Sequence, residues 1–187
     1  MKRREVLTSL SAIGGGVMIL PQVLLSGCHQ APYSYALFDW GDNEILNEMA
    51  DMIIPDTPGV PGAKAANVGD FIQLYISDCF APENQTHFLS GYNQFKLDVR
   101  EAHGEPFDAL AAGGKQTVIA GLEDEAKSFD AGLVSGQLPH FYSSLKRLVM
   151  FGYSTSEIGA TKALNYVPIP GKQIGIMPYN GEKAYAL

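Results

Sequence analysis

Histidines and cysteines carry most of the reactive chemistry available to this 187-residue chain, which has 4 His and 2 Cys. His29, His87, His103 and His140 are scattered. None has a second histidine one helical turn on, and there is no HExxH motif or Cys/His cluster, so spacing assembles no metal site. His87 and His140 fall on or beside expected helices, where capping or surface roles fit them. AAGGKQ, Ala111 to Gln116, has the glycine and lysine of a phosphate loop. However, Ala109 stands where the first glycine belongs and Gln116 where Ser or Thr belongs, so that reading is rejected. GYSTS, Gly152 to Ser156, is not the GxSxG of a nucleophile elbow, and no GxGxxG opens a βαβ unit. Glu44, Glu48 and Asp51 can share one helix face, and carboxylates so placed can hold metals in helical bundles. Without accompanying ExxH motifs they are expected to form a solvated face. The run Glu123-Asp124-Glu125 is expected at the surface too. The sequence therefore offers no catalytic, cofactor-binding or metal-ligating set.

Cys28 is a different case. It could be a disulfide partner, a small core residue or a chemically modified anchor, and what precedes it decides among these. Lys2, Arg3 and Arg4 form a positive start. From Val6 to Leu25 the chain is weakly apolar, diluted by Thr8, Ser9, Ser11 and Gly14 to Gly16. A spanning helix needs about 20 strongly apolar residues, and adjacent glycines weaken this run as a helix. Residues 1–27 are accordingly read as a targeting segment. Arg3 and Arg4, followed by Glu5, Val6 and Leu7, resemble a twin-arginine export signal, which the translocase reads and which is not itself an anchor. Such export carries folded cargo, which can include a bound partner. Leu25-Ser26-Gly27-Cys28 resembles a bacterial lipobox. Cleavage before Cys28 would leave its thiol diacylglycerylated at a new N-terminus, and two or more acyl chains anchor stably where one does not. The expectation is an exported protein held on a membrane by lipid and facing the periplasm. The plainer alternative is an uncleaved N-terminal helix with a chance cysteine.

Charge agrees with a covalent anchor. Charged residues are 18% and hydrophobic ones 46%, with a net charge of -7, so the chain folds around a core and is not disordered in bulk. Cleavage would take Lys2, Arg3, Arg4 and Glu5, leaving a net charge of -9. Nucleic acid is excluded as a partner because phosphate contacts need basic patches. An acidic protein is also repelled by anionic lipid, so electrostatics alone would not hold it there. With Cys28 acylated, Cys79 has no partner within the chain. It follows Phe71, Ile72, Tyr75 and Ile76 on one helical face, with Phe80, so a buried inert thiol is expected. A disulfide to another chain is the lesser alternative.

The elements follow from periodicity. Residues 28–41 contain Pro32, lack a period and read as a tether. The domain, 42–187, opens with a helix carrying Ile45, Leu46, Met49, Met52 and Ile53 inward, capped by Asp42 and stopped by Pro55. The turn PDTPGVPGA is rich in proline and should be rigid. Further helices are expected over 66–80, 83–102 (Phe88, Tyr92, Phe95 and Val99 inward) and 115–129 (Val118, Ile119, Leu122, Ala126 and Phe129 inward). Two more are expected over 141–152 and 156–164, the last capped by Ser156. The remaining tail is extended, with proline and glycine throughout. The fold class is all-α: an irregular bundle of five or six helices with an extended C-terminal tail.

Two stretches carry more information. ADMIIPDTPGVPGAKAANVGDFI, Ala50 to Ile72, and FGYSTSEIGATKALNYVPIPGKQIG, Phe151 to Gly175, together resemble the gluconate 2-dehydrogenase subunit 3 family over roughly 43–178. These are the small, or gamma, subunits of membrane-bound flavin dehydrogenases. The resemblance implies a non-catalytic accessory subunit that escorts, stabilises and anchors a large flavoprotein of the glucose-methanol-choline oxidoreductase type. That partner would hold FAD, oxidise a sugar, sugar acid or polyol, and cross the membrane on the small subunit's twin-arginine signal. No cofactor is expected on the present chain. Electrons in such complexes pass to a cytochrome c, whose subunit often supplies the anchor. Here Cys28 would do so, which leaves a cytochrome subunit open. The alternative is a stand-alone envelope lipoprotein that binds a ligand or partner.

The tail bears on where such a partner would dock. Val167, Ile169, Ile174, Ile176 and Met177 lie on a backbone restrained by Pro168, Pro170 and Pro178, without helical period. Such a strip either folds back on its own helices or marks an interaction site. The resemblance reaches into this segment and favours docking. The expected contact residues are Tyr166, Pro168, Ile169, Pro170, Gly171, Ile174 and Ile176, with Pro55, Pro58 and Gly62 of the proline-rich turn.

Overall fold

The computed structural model describes residues 37–169, 171, 176 and 178–186. Arg3, Arg4 and Cys28, most of the tether, and Pro170 and Ile174 of the tail lie outside the described residues. Five α-helices follow in order: α1 Asp42–Ile53, α2 Val68–Cys79, α3 Pro82–His103, α4 Ala112–Ala131 and α5 Phe141–Thr155. A 3-10 turn, Phe107–Ala109, joins α3 to α4, and a π-helical turn, Gly159–Ala163, follows α5. The fold is the expected small all-α bundle. Among the described residues it also carries a pair of two-residue parallel strands, β1 Asn165–Tyr166 and β2 Tyr185–Ala186.

α5 is the central helix and touches every other one. It buries Phe141, Tyr142, Leu145, Leu148 and Val149. The expected inward line of α3 is buried in full: Phe88, Tyr92, Phe95 and Val99. Rings lock α3 to α5, with Phe88 and Phe141 meeting edge to face at 6.1 Å. Gly91 permits this approach, because a Cβ there would lie 2.7 Å from the Phe141 ring. α1 and α2 are joined by a buried amide. Asn47 accepts the Gly69 N–H at 2.8 Å and donates to the Asn67 side chain at 2.9 Å. It thus satisfies an amide in the first turn of α2 that the helix leaves unpaired.

Several local expectations are corrected. Asp42 is not the cap of α1: Gly41 holds that position with φ 108, and Asp42 is the first helical residue. Its buried carboxylate accepts from the Asp39 N–H at 2.7 Å, the Tyr92 hydroxyl at 3.0 Å and the Lys96 ammonium at 2.7 Å. A buried charge needs such partners, and burial together with Asp42 pushes the Tyr92 phenol upward. α2 begins at Val68, after Asn67 in the left-handed region at φ 50. α4 begins at Ala112, so Gly113, Gly114 and Lys115 are helical. Glu48 is not on a solvated face. Its carboxylate bonds Lys115 at 2.6 Å and also pairs with Lys64, which reaches Glu44 at 2.9 Å. Phe129 is exposed: it sits in the last turn of α4, where its ring lies 5.6 Å from the His140 ring at the head of α5. Cys79 is likewise exposed, not buried. It continues the inward face by angle, but it is the final residue of α2.

Candidate partner interface

Tyr153 organises the end of the molecule that the two family-like stretches share. It lies in the last turn of α5, and its hydroxyl donates to the Pro61 carbonyl at 2.6 Å. That bond fastens the proline-rich turn to α5 across 92 positions of sequence. Within the turn, Thr57 and Val60 exchange backbone hydrogen bonds at 3.0 and 2.9 Å. Pro55 and Pro58 are exposed, whereas Gly62 is buried. A Cβ on Gly62 would lie 2.7 Å from the Pro55 carbonyl carbon and would collide with the Ile54 oxygen. Gly62 therefore shapes the turn from within and presents no contact surface of its own.

The same helix end launches the tail. Ser156 caps as expected: its hydroxyl accepts the Gly159 N–H at 2.9 Å and donates to the Tyr153 carbonyl at 2.7 Å. Gly159 packs so closely on the Tyr153 carbonyl that any Cβ would collide with it. The chain turns here, passes through the π-helical turn and enters β1. Asn165 donates to the Ala184 carbonyl at 2.8 Å, and Val167 to the Ala186 carbonyl at 3.0 Å. The chain end thus returns to the root of the tail. Parallel pairing requires a long crossover, and the intervening residues supply one.

The described residues of that crossover stand away from the helices. Ile169 is 83% exposed and Ile176 94%. Tyr166, Pro168, Gly171 and Tyr179 are exposed as well. The strip does not fold back onto its own core at these positions; Val167 alone is half-buried.

Sequence reasoning missed a second apolar surface, on the outer side of α2 and α5. Phe151 meets Phe71 at 5.6 Å and Tyr75 at 5.7 Å, both edge-on, and Tyr75 meets Phe80 at 6.0 Å. Met150 and Phe151 are 54% and 48% exposed, with Leu74 beside Tyr75 also exposed. Gly152 lets the Phe71 ring approach α5 closely, since a Cβ there would strike it. The signal was present in the sequence: Leu145, Leu148, Val149 and Tyr153 already fill the inward face of α5, so Met150 and Phe151 are apolar residues on what should be the polar side.

This end of the molecule offers apolar contact rather than acid–base chemistry. Among the described residues no three His, Cys, Asp or Glu side chains gather in a metal-binding group. His140 caps α5, its Nδ1 accepting the Tyr142 N–H at 3.3 Å, and burial lowers its pKa. His87 Nε2 bonds the Pro139 carbonyl at 2.9 Å. Among the described residues, no helix is long and apolar enough to cross a membrane.

Comparison with curated proteins and with solved structures finds no match. The family model described as gluconate 2-dehydrogenase subunit 3 matches residues 41–171. That span runs from the cap of α1 to the exposed tail and takes in every α-helix, the proline-rich turn and the π-helical turn. The chain belongs to the gluconate 2-dehydrogenase subunit 3 family.

Proposed function

We propose that this chain is the non-catalytic accessory subunit of a membrane-bound dehydrogenase, and that it escorts, stabilises and anchors a large flavoprotein subunit of the glucose-methanol-choline type. Family membership makes it a subunit of a dehydrogenase complex. The finer reading adds export on the Arg3–Arg4 signal, a lipid anchor at Cys28, FAD on the partner, and a sugar, sugar acid or polyol as substrate. The observation that carries it is the tail. Ile169 and Ile176 are held out in water, and Tyr153 ties the exposed Pro55–Pro58 turn to the end of α5 from which the chain leads into the tail. Exposed apolar residues of this kind mark protein contacts, and proline lowers the entropy lost when an extended segment docks.

Truncation after Leu164 tests the reading. Among the described residues, β1 and β2 pair only with each other, so the truncated chain should keep its helical circular dichroism. Co-purification of a co-expressed flavoprotein subunit should be abolished. Equally tight capture by the truncated chain would overturn the tail as the docking element. Unfolding on truncation would show instead that the tail belongs to the core.

A further inference from the structure

α3 and α4 scarcely touch; both lean on α5. Between them lies an open trough of about 390 Å³, floored by Phe95, Val99, Leu122 and Phe141. Gly121 lines its α4 wall. This glycine sits in the interior of a 20-residue helix, where glycine is less favourable than alanine. A Cβ there would meet nothing within 4 Å, and the φ at Gly121 is not positive. The fold therefore has no need of a glycine at this position. What glycine does provide is room in the trough.

Each wall also carries a carboxylate. Asp98 on α3 accepts the Gln94 amide at 2.8 Å, and Glu125 on α4 lies 3.9 Å from the His140 ring. Neither has a lysine or arginine partner among the described residues, and no lysine or arginine lines the trough. Elsewhere Asp42, Glu44, Glu48 and Glu123 each hold a lysine. An apolar floor between two carboxylates without lysine or arginine partners complements an apolar segment flanked by cations. A second copy of a chain with net charge -7, or an anionic lipid surface, would be repelled at the same place.

We propose that the trough between α3 and α4 receives a short apolar segment of the flavoprotein large subunit, with Lys or Arg on both flanks meeting Asp98 and Glu125. This rests on the assembly reading above, but it uses a surface separate from the tail.

The test co-expresses the full chain with the flavoprotein subunit and compares the wild type with Gly121→Leu and with the double variant Asp98→Lys, Glu125→Lys. All three positions are exposed, so both variants should keep wild-type helicity and melting temperature. Each should recover about tenfold less flavoprotein, equivalent to about 1.4 kcal/mol. Wild-type capture should weaken as salt rises. In the wild-type complex, amide exchange should slow along 94–102 and 117–125. Full recovery by both variants, or unchanged exchange on those walls, would overturn the proposal while leaving the assembly reading intact. Self-association that Gly121→Leu abolishes would put a second copy in the trough and overturn it too. Failure of the wild type to capture the flavoprotein would refute the assembly reading and the occupant with it.

Discussion

Glu48→Gln should be among the most damaging single changes to this domain that leave its apolar core untouched. The Glu48 carboxylate holds Lys115 at 2.6 Å, with side chains only 14% and 11% exposed, and shares its other oxygen with Lys64. Burial opposes the charge on Glu48, but hydrogen bonds from Lys115 and Lys64 outweigh it and hold the carboxyl below its ordinary range. Removing the charge leaves Lys115 desolvated and without the carboxylate it bonds, with Asp51 acting on it only at longer range. Breaking a buried pair from one side costs about 3–5 kcal/mol. Lys64 is more exposed and keeps Glu44, so its loss adds only about 0–1 kcal/mol. The amide can still accept one hydrogen bond, which points to a net cost of about 2–3 kcal/mol. For a domain of this size the melting temperature should fall by roughly 5–10 °C.

Lys115→Met should cost about 1 kcal/mol or less, because Glu48 keeps Lys64 and an apolar chain suits the site. Adding Lys115→Met to Glu48→Gln should recover much of the loss, a coupling of about 1–2 kcal/mol in a double-mutant cycle. The sign with pH follows from the lowered carboxyl. Its contribution is full above the unfolded chain's carboxylate pKa and disappears as pH falls through the folded value. Wild type and Glu48→Gln should therefore converge in acid, once the pH has fallen through that lowered folded value. Urea unfolding followed by circular dichroism at neutral and acid pH measures both effects. A neutral-pH difference within about 0.5 kcal/mol, the scale of an ordinary surface change, would refute the assigned role of the Glu48–Lys115 pair.

Gly159→Ala forces a Cβ into the Tyr153 carbonyl, so it should destabilise by about 2–3 kcal/mol, read by thermal unfolding; a neutral outcome would mean that the turn after α5 yields freely. Cys28→Ser should abolish incorporation of a radioactive fatty acid, and label retained in that variant would end the lipid-anchor reading. Replacing Arg3 and Arg4 together with Lys should strand both this subunit and its flavoprotein in the cytoplasm, as fractionation would show; a flavoprotein that still reaches the envelope has another route.

Local regularity was legible in the sequence. Phe88, Tyr92, Phe95 and Val99 recur at helical spacing, and all are buried. A period in the chain is already a face on the helix, so little tertiary information is needed to read it. Punctuation was legible for the same reason. Pro55 lies just past the end of α1, and Ser156 caps the turn after α5, because backbone sterics and short-range hydrogen bonds act within a few residues. The family likeness was legible too, in two stretches that need no partner to be recognised.

What periodicity could not decide is what each residue finds opposite it. Phe129 and Cys79 continue inward faces by angle, yet both are exposed, each lying in the last turn of its helix. Glu48 and Asp42 looked like a surface acid and a cap. The charges that engage them come from Lys115 and Lys96, 67 and 54 positions away. Coulomb attraction and desolvation depend on distance through space, and no local pattern encodes that distance. The meeting of the proline-rich turn and the tail root at Tyr153 is of the same kind. The helical segments and the family likeness can be read from the chain alone, although α4 and α5 run two and three residues past their expected ends. Packing in three dimensions settles which charges are buried, which apolar residues face water, and that the two family-like stretches meet at one end of α5.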